Sequence, residues 1–322
     1  GPRYCYQNTP HPIRLFWNMN KNKKIAVVTG GAGFIGSHLA AALLAEGYTV
    51  KVVDNLSSGK REKVPKGSLF FEQDVNDTAA LTNVMVGTET VFHLAALPRV
   101  QFSIEHPIES NKANVDGTVS VLKAAQDAGV KRVVYSASSS AYGDQEVMPL
   151  TEDMPASPKS PYGLQKYIGE LYCRLWSEVY GLPTVSLRYF NVYGPGASAE
   201  GAYALVIAKF LSQRALGEPM TITGDGTQTR DFTHVRDIVR ANILAARSSK
   251  VGKGEVINIG AGNNASVVRI AELVGGPVEH AAARLEPHDT LADNTLAKEL
   301  LGWEPSVSLE DGIAELKKEF YL

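Results

Sequence analysis

Short apolar runs alternate with longer helical segments along most of the chain. The apolar runs are rich in β-branched residues, as expected for strands that helices cover on both faces. The runs that predict such strands are 24–29, 48–53, 69–72, 90–94, 131–135 and 183–189. The segments that predict helices are 39–46, 107–129 and 161–180. This alternation predicts an α/β protein with a doubly wound parallel sheet, whose ligands bind at the carboxyl ends of the strands.

The pattern changes after Asn191, where glycine and proline cluster and the elements become shorter. Helices are expected at 203–214, 237–247, 267–274, 293–301 and 309–320, and strands at 220–223 and 255–259. We therefore expect a sheet domain over 24–190 with a returning segment 228–262, and a smaller C-terminal α/β lobe built from 191–227 and 263–322. Residues 1–23 show no core-forming pattern, and we expect this N-terminal extension to be dispensable.

The turn Thr29–His38 reads TGGAGFIGSH and joins the first strand to the first helix. Gly31, Gly33 and Gly36 fit the spacing G-x-G-x-x-G, in which glycine lets the backbone approach a pyrophosphate. The anion would bind at the helix N-terminus, where free N–H groups favour negative charge. Asp54 closes the second strand, where it can accept from both ribose hydroxyls and would repel a 2′-phosphate. This stretch predicts a dinucleotide site that takes NAD rather than NADP.

Other strand ends supply further candidates. Asp74-Val75 follows the third strand, where a cofactor's adenine could be bound. Ala95-Ala96 follows the fourth strand, and these small side chains would let a ligand lie close to the backbone. His93 lies inside that strand and is interpreted as a core histidine. Ser138–Ser140 follow the fifth strand, where a serine hydroxyl could bridge a substrate oxygen and a base.

Tyr162 and Lys166 are four residues apart on one predicted helix and hence share a face. The pKa of a free tyrosine is about 10, too high for a base at neutral pH. We expect the Lys166 ammonium, the helix N-terminus and an oxidised nicotinamide to lower it. Arg230 is a candidate for binding a sugar-nucleotide pyrophosphate, with an ordinary surface ion pair as the alternative. Arg284 is a second, weaker candidate.

Composition narrows the class of protein. The 322 residues are 44% hydrophobic and 20% charged, which is typical of a globular protein with an ample core. The net charge of −2 gives no reason to expect nucleic acid or an anionic membrane as a partner, and no apolar stretch is long enough to span a bilayer. Cys5 and Cys173 lie far apart and show no metal-ligand spacing. We therefore expect no disulfide, no metal site and a cytoplasmic location.

Six motifs in combination resemble the extended short-chain dehydrogenase/reductase family, and in particular its UDP-hexose 4-epimerases: TGGAGFIGSH, FHLAA, SSSAYGD, SPYGLQK, LRYFNVYGPG and GDGTQTRDFTHVRDI. The resemblance extends from Met19 to the end and implies a Rossmann domain that binds NAD. The residues implied to contact NAD are Gly30, Gly33, Phe34, Ile35, Asp54, Asn55, Gly59, Asp74, Val75, Leu94, Ala95, Ala96, Asn114, Tyr162 and Lys166. The residues implied to line the nucleotide-sugar site are Ser138, Ser139, Asn191, Leu205, Val206, Thr221, Arg230, Arg284 and Thr290. The implied catalytic residues are Ser138, Tyr162 and Lys166.

The reaction implied by this resemblance is a reversible 4-epimerisation. Tyr162 as phenolate would take the C4 hydroxyl proton while the C4 hydride passes to NAD, and a transient 4-keto sugar would turn over before the hydride returns. Segment 201–207 and the small Thr290, at the family's gate position, favour UDP-GlcNAc/UDP-GalNAc together with UDP-Glc/UDP-Gal. Similar proteins form a four-helix dimer interface, so we expect a homodimer through 107–129 and 162–180.

Two positions depart from the family pattern, and two alternative functions stay open. The sequence Arg284-Leu285-Glu286 is one residue short, so another residue could replace the second pyrophosphate arginine, and Pro98 stands where some members have lysine. A nucleotide-sugar 4,6-dehydratase or decarboxylase uses the same fold, but a dehydratase carries Asp-Glu where this chain has Ser139 and Ser140. A non-catalytic NAD-binding or NAD-sensing protein would have no use for Tyr162.

Overall fold

The computed structural model describes residues 23–199, 205–283 and 289–322, so the N-terminal extension lies outside the described residues except for Lys23. The strands are β1 (Ile25–Thr29), β2 (Thr49–Asp54), β3 (Leu69–Glu72), β4 (Thr90–His93), β5 (Arg132–Ser138), β6 (Thr184–Tyr189), β7 (Val192–Tyr193), β8 (Met220–Thr223), β9 (Thr229–Asp231), β10 (Thr233–His234), β11 (Lys253–Ile259), β12 (Asn264–Ser266) and β13 (Val278–Ala281). The α-helices are α1 (Phe34–Ala45), α2 (Thr78–Met85), α3 (Val100–Glu105), α4 (Pro107–Asn111), α5 (Gly117–Asp127), α6 (Pro161–Tyr180), α7 (Val206–Ala215), α8 (Val235–Arg247), α9 (Val267–Val274), α10 (Thr295–Leu301) and α11 (Leu309–Glu319).

Seven parallel strands form one sheet in the order β11-β6-β5-β4-β1-β2-β3. The chain runs outward from β1 to β3 and then in the other direction from β4 to β6, so the switch point lies between β1 and β4. Apolar side chains form one core between the sheet and α1 and α8, and a second core between the sheet and α2, α5 and α6. The predicted doubly wound parallel sheet is therefore confirmed.

The C-terminal part of the chain divides between the sheet and the lobe. Helix α8 packs on α1, and β11 pairs with β6 at the edge of the sheet. The lobe has a core of its own that includes Phe210, Met220 and Ile270. One stretch departs from the predicted division, because α10 and Trp303 pack on the sheet core rather than on the lobe. The Trp303 indole is fully buried there and donates to the Asp237 carbonyl at 2.9 Å.

Several predicted elements have different bounds in the structure, and three of these differences have a clear physical reason. Helix α1 begins at Phe34, directly after the glycine turn, because Gly33 already acts as its N-cap. Strand β5 extends to Ser138 because its polar end pairs in register with the end of β6. The predicted helix 107–129 is divided into α4 and α5 by a π-helical turn at Lys112–Asp116. Within the described ranges, no helix has the length and apolar character needed to cross a bilayer.

Candidate active site

The glycine turn lies where the carboxyl ends of β1, β2 and β4 meet. Gly30 has a φ of +71°, and a Cβ there would lie 2.7 Å from the backbone nitrogen of Ala95. A Cβ on Gly36 would overlap the carbonyl of Gly30. Helix α1 begins at Phe34, its N-cap residue Gly33 has no side chain to cap it, and a Cβ on Gly33 would meet only the Gly30 carbonyl within 4 Å among the described residues. This open helix N-terminus fits the pyrophosphate of a dinucleotide.

The carboxylate of Asp54 joins the glycine turn to the loop after β2. Its Oδ2 accepts from the backbone N–H of Ala32 at 3.0 Å, and its Oδ1 accepts from that of Leu56 at 2.9 Å. Gly59 approaches Ala32 and the Asp54 carboxylate too closely to carry a side chain. Each Asp54 oxygen retains a lone pair, so this buried carboxylate can accept from ribose hydroxyls.

The predicted adenine end of the site is assembled from two neighbouring strands. Asn55 follows β2, and its Nδ2 donates to Oδ2 of Asp74, which follows β3, at 3.1 Å. Hydrogen bonds from Asn76 lower the pKa of Asp74, so this carboxyl is ionised at neutral pH. Val75 is buried against Gly117, at the start of α5.

A buried polar chain fixes the end of β4 against β1. Thr29 Oγ1 accepts from the backbone N–H groups of Leu94 and Ala95, each at 3.2 Å. The two ring nitrogens of His93 lie 2.8 Å from Thr29 Oγ1 and 3.0 Å from Thr118 Oγ1. Burial lowers the pKa of His93 to about 3, so the ring is neutral. His93 is thus a core histidine, as the sequence analysis interprets it.

Asn114 has the contacts of a residue that positions the cofactor loop. Its Oδ1 accepts from the backbone N–H of Leu97 at 2.8 Å, and its Nδ2 donates to the Leu97 carbonyl at 3.1 Å and to Gln165 Oε1 at 2.8 Å. The side chain is buried in the π-helical turn. Its amide thus holds the loop that contains Ala95 and Ala96, and its contact with NAD stays a prediction.

Tyr162 lies in the first turn of α6, beside the carboxyl end of β5. Ser160 Oγ caps this helix by accepting from the backbone N–H of Gly163 at 3.1 Å, and Ser103 Oγ on α3 accepts from that of Tyr162 at 3.0 Å. The hydroxyl of Ser138, the last residue of β5, lies beside the phenol and acts to lower its pKa. The structure therefore brings together two of the three predicted catalytic side chains.

The third predicted catalytic residue, Lys166, lies one turn further along α6. Its Nζ donates to the Ser136 carbonyl at 2.8 Å, and burial lowers the pKa of Lys166 to about 8. The expected lowering of the Tyr162 pKa does not appear in the protein itself. Burial raises the pKa of Tyr162 to about 12 and outweighs the opposing effects of Ser138 and of a nearby positive charge.

That positive charge belongs to Arg99, which the sequence analysis does not single out. Arg99 is the N-cap residue of α3, and its guanidinium acts to lower the pKa of Tyr162. It follows Pro98, the position where some family members have lysine. The six-residue helix α3 has too little pattern to be predicted, and its packing on α6 is a tertiary contact.

A buried ion pair supports the catalytic helix. Arg188 on β6 donates from Nε and Nη2 to the two carboxylate oxygens of Glu170 on α6, at 2.8 and 2.7 Å. The guanidinium carbon of Arg188 lies 4.5 Å from the centre of the Tyr142 ring. This pair ties α6 to the sheet behind Tyr162. No spacing in the sequence relates Glu170 to Arg188, so the ion pair between them could not be predicted.

On the lobe side, two predicted substrate residues are neighbours. Asn191 Nδ2 lies 3.5 Å from Thr290 Oγ1, which also accepts from the backbone N–H of Asp231 at 3.3 Å. Burial raises the pKa of Asp231 to about 6. The carboxylate of Asp231 joins the loop after β11 to the loop that carries Thr290 by accepting from the backbone N–H groups of Ala261, Gly262 and Ala292.

Arg230 and Thr221 lie on short strands of the lobe. Arg230, on β9, donates from Nη1 to the Thr229 carbonyl at 2.8 Å. Thr221, on β8, accepts from Gln213 Nε2 at 2.8 Å and donates to Glu279 Oε1 at 2.9 Å. The Thr221 hydroxyl is therefore engaged by side chains of the lobe itself.

The remaining predicted residues mark the ends of elements. Leu205 is the N-cap of α7 and Val206 is its first residue. Ser139 begins the 3-10 turn that follows β5. Arg284 lies outside the described residues. Among the residues that are described, no group of three or more His, Cys, Asp or Glu side chains could hold a metal ion.

Comparison with known proteins identifies the family to which the sequence and fold belong. The model of the NAD dependent epimerase/dehydratase family matches residues 26–260. The crystal structure of a UDP-glucose 4-epimerase from Thermotoga maritima with UDP-glucose has a TM-score of 0.87 and 40% identity, over 92% of this chain and 98% of that one. A UDP-N-acetylglucosamine 4-epimerase from Methanobrevibacter ruminantium, in complex with UDP-N-acetylmuramic acid, has a TM-score of 0.88 and 37% identity, over 93% and 98%.

A relative with a different activity is of comparable similarity. The UDP-N-acetyl-α-D-glucosaminuronate decarboxylase of Bacillus cytotoxicus is 35% identical over 316 residues, which are 91% of this chain and 96% of that protein. The matches confirm the resemblance seen in the motifs and agree with the dinucleotide site at the glycine turn. The chain belongs to the NAD-dependent epimerase/dehydratase family.

Proposed function

We propose that this chain is an NAD-dependent 4-epimerase of UDP-hexoses. The observation that carries the proposal is the contact between Tyr162 and Ser138 at the edge of the sheet that also carries the glycine turn. Two 4-epimerases among the similar structures support it. The test is to incubate the NAD-loaded protein separately with UDP-Glc, UDP-GlcNAc and UDP-GlcA and to resolve the products. A 4-epimer of at least one of the three substrates is expected. If none of the three yields a 4-epimer, the proposal is overturned.

The chain's own residues supply the proton chemistry and the orientation of the sugar. When bound, NAD supplies a hydride acceptor and donor for C4. As phenolate, Tyr162 accepts the C4 hydroxyl proton at its phenolic oxygen and later returns it, and Ser138, which lies beside the phenol, is placed to hydrogen-bond the same substrate oxygen. The pKa of Lys166, about 8, leaves its ammonium mostly protonated at neutral pH. Arg99 thus places a positive charge where a phenolate would form, and Lys166 carries a second one a turn further along α6, where it is held by the Ser136 carbonyl.

The lobe binds the part of the substrate that does not react. Arg230 is the candidate for the diphosphate, because its guanidinium can donate two parallel hydrogen bonds to phosphate oxygens. Asn191 and Thr290 are neighbours and form the candidate sugar pocket. With the nucleotide anchored in the lobe, the 4-keto sugar can turn and present its other face without leaving the protein.

The dehydratase alternative is disfavoured by the residues beside Ser138. Loss of water needs a carboxyl acid and a base near the catalytic hydroxyl, and this chain has Ser139 and Ser140 there. Ser140 Oγ lies 2.7 Å from Ser138 Oγ, so it is a hydrogen-bonding neutral group. Decarboxylation needs only the 4-keto stage of a uronic acid, and a relative carries it out. Release of CO₂ from UDP-GlcA in the proposed test would identify that activity.

An exposed apolar face on α6 supports the proposed homodimer. Leu171 is 44% exposed and is in line with other apolar side chains at helical spacing, and Ile108 on the adjoining α4 is 86% exposed. The residues of this α6 face are Leu164, Leu171, Leu175 and Val179. Two copies of α6 with the α4–α5 segments would form a four-helix interface. A cytoplasmic location is also part of the proposal, and the free, buried thiol of Cys173 agrees with a reducing compartment.

A charged α6 face should separate the dimer. Replacing Leu171 and Leu175 by Glu would bury unpaired carboxylates, at a cost of about 3–5 kcal/mol, so the dimer dissociation constant should rise at least about a hundredfold. Sedimentation velocity at micromolar concentration measures the change. Leu216, exposed at the end of α7, provides the control, because Leu216→Glu should remain dimeric. A wild-type protein that sediments as a monomer would refute the interface.

Asp54 should select the cofactor. The wild-type protein should bind NAD at least about tenfold more tightly than NADP, because a 2′-phosphate would meet the Asp54 carboxylate. Asp54→Asn removes that repulsion and should reduce the preference, as measured by calorimetric titration with both cofactors. The control is Glu89→Gln, at the amino ends of the strands and far from the cofactor site, where Glu89 pairs with Lys24. Equal or tighter binding of NADP by the wild type would contradict the assignment.

A further inference from the structure

The turn Gly194–Gly196 in the lobe is held by two side chains from the cofactor-binding domain. His38 on α1 donates from Nε2 to the Pro195 carbonyl at 2.8 Å. Lys63, in the 3-10 turn after β2, donates from Nζ to the Gly196 carbonyl at 2.8 Å. The carbonyls of two consecutive residues are therefore bonded to two separate elements of the sheet domain.

The turn is less well supported on its lobe side. A cavity of about 230 Å³ lies between the turn at Gly194, Gly196 and Ala197, the residues Ala208 and Leu211 of α7, and Leu316 of α11. The turn thus lacks close packing against these lobe helices over this region. On its other side the turn is held by the two hydrogen bonds from the sheet domain and by the close approach of Gly194 to Val235 at the start of α8.

The turn also lies between residues proposed to contact the sugar nucleotide. Asn191 precedes it, and Leu205 and Val206 follow it at the start of α7. His38 belongs to the same helix that begins at the glycine turn, and its ring contacts Phe34 edge to face, with centres 5.8 Å apart. One side chain therefore links the helix of the proposed cofactor site to the loop of the proposed substrate site.

We propose that His38 and Lys63 form a lobe latch, which fixes the turn Gly194–Gly196 on the cofactor-binding domain and so positions the UDP-sugar for reaction. Both are positioning residues, because they act through the turn and not on the substrate. The role in positioning rests on the proposed epimerase function, whereas the contact itself does not. If the two hydrogen bonds are removed, the turn must be ordered again each time the substrate binds. Removing them should therefore lower mainly the affinity for the substrate.

The experiment compares variants that break the latch with variants that retain a donor. His38→Leu and Lys63→Met each remove one hydrogen bond. His38→Gln and Lys63→Arg keep an N–H group within reach of the same carbonyl. Lys250→Met is the matched control, because Lys250 Nζ makes the same kind of bond, to the Glu299 carbonyl at 2.8 Å, away from the turn.

Three measurements together test the latch. Hydrogen exchange of residues 192–199 should speed up about tenfold in Lys63→Met, the dissociation constant of UDP by calorimetry should rise about tenfold, and kcat should change less than about threefold. The double variant should show larger effects, and His38→Gln, Lys63→Arg and Lys250→Met should behave as wild type.

Unchanged exchange and unchanged UDP affinity in Lys63→Met and in the double variant would overturn the proposal. His38→Leu could also disturb α1, so NAD affinity is measured in every variant, and Lys63→Met, outside that helix, decides the result. Exchange and UDP binding do not depend on turnover. A wild-type protein that epimerises nothing would therefore refute the proposed function while these two measurements still test the latch.

Discussion

Tyr162→Phe should retain the fold and NAD affinity and lose at least about a hundredfold in kcat, the usual scale for one acid–base group. The substitution removes only the phenolic hydroxyl group. The start of α6 is held by other groups, namely the Ser160 cap and the hydrogen bond from the backbone N–H of Tyr162 to Ser103 Oγ. Steady-state turnover of UDP-Glc measures the loss. Thermal unfolding and NAD titration show whether the variant is otherwise intact.

The matched control is Tyr167→Phe, the same chemical change five positions along the same helix. It should leave kcat within about twofold, as expected for a hydroxyl outside the reacting groups. Near-normal turnover by Tyr162→Phe would remove Tyr162 from the mechanism. A large loss in Tyr167→Phe would show that α6 as a whole is sensitive to substitution.

Thr290→Tyr should change which sugars the site accepts. Thr290 lies beside Asn191 in the candidate sugar pocket, and a phenol there would occupy the space needed by an N-acetyl group. Overfilling a close-packed site costs about 1–3 kcal/mol, so the ratio of kcat/KM for UDP-GlcNAc to that for UDP-Glc should fall about tenfold to a hundredfold. The measurement is that ratio in the wild type and the variant, for substrates supplied separately.

The hydroxyl of Thr290 needs its own control, because Tyr also removes a group that accepts from the backbone N–H of Asp231. Thr290→Val keeps the size of the side chain and removes this oxygen, so it should leave the ratio of the two substrates unchanged. A wild-type ratio in Thr290→Tyr would show that Thr290 packs in a loop and that the gate lies elsewhere.

The sheet could be predicted because its strands are continuous apolar runs. The same reasoning stopped at Tyr135, since Ser136–Ser138 have no apolar pattern and are extended only because β6 pairs with them. Helix α1 begins five residues before its predicted start because its first turn overlaps the glycine motif, whose residues have no helical apolar pattern. Local patterns thus identified the elements and missed ends that depend on neighbouring strands or on a cap.

The residues of the candidate site could be predicted where they lie on one predicted element or at the end of a predicted strand. Tyr162 and Lys166 share one helix, and Asp54 ends the strand after the glycine turn. The direction of the Tyr162 pKa shift was not predictable, because it depends on burial by elements distant in sequence. Arg99 was missed for the same reason, since it reaches the site only through the packing of α3 on α6.

The buried groups His93 and Asp231 affect how the fold tolerates acid. The pKa of His93 falls from 6.5 to about 3 on folding, so the unfolded chain binds a proton there first, and stability decreases as the pH falls through this range. The pKa of Asp231 rises from 3.8 to about 6, so the folded chain holds that proton longer, and stability decreases as the pH rises through that range. Between about pH 4 and pH 6 the two slopes have opposite signs and largely cancel. The buried His93 near the glycine turn and the buried Asp231 near Thr290 therefore have compensating effects on stability between about pH 4 and pH 6. Below about pH 4, of these two groups only His93 continues to lower the stability of the fold.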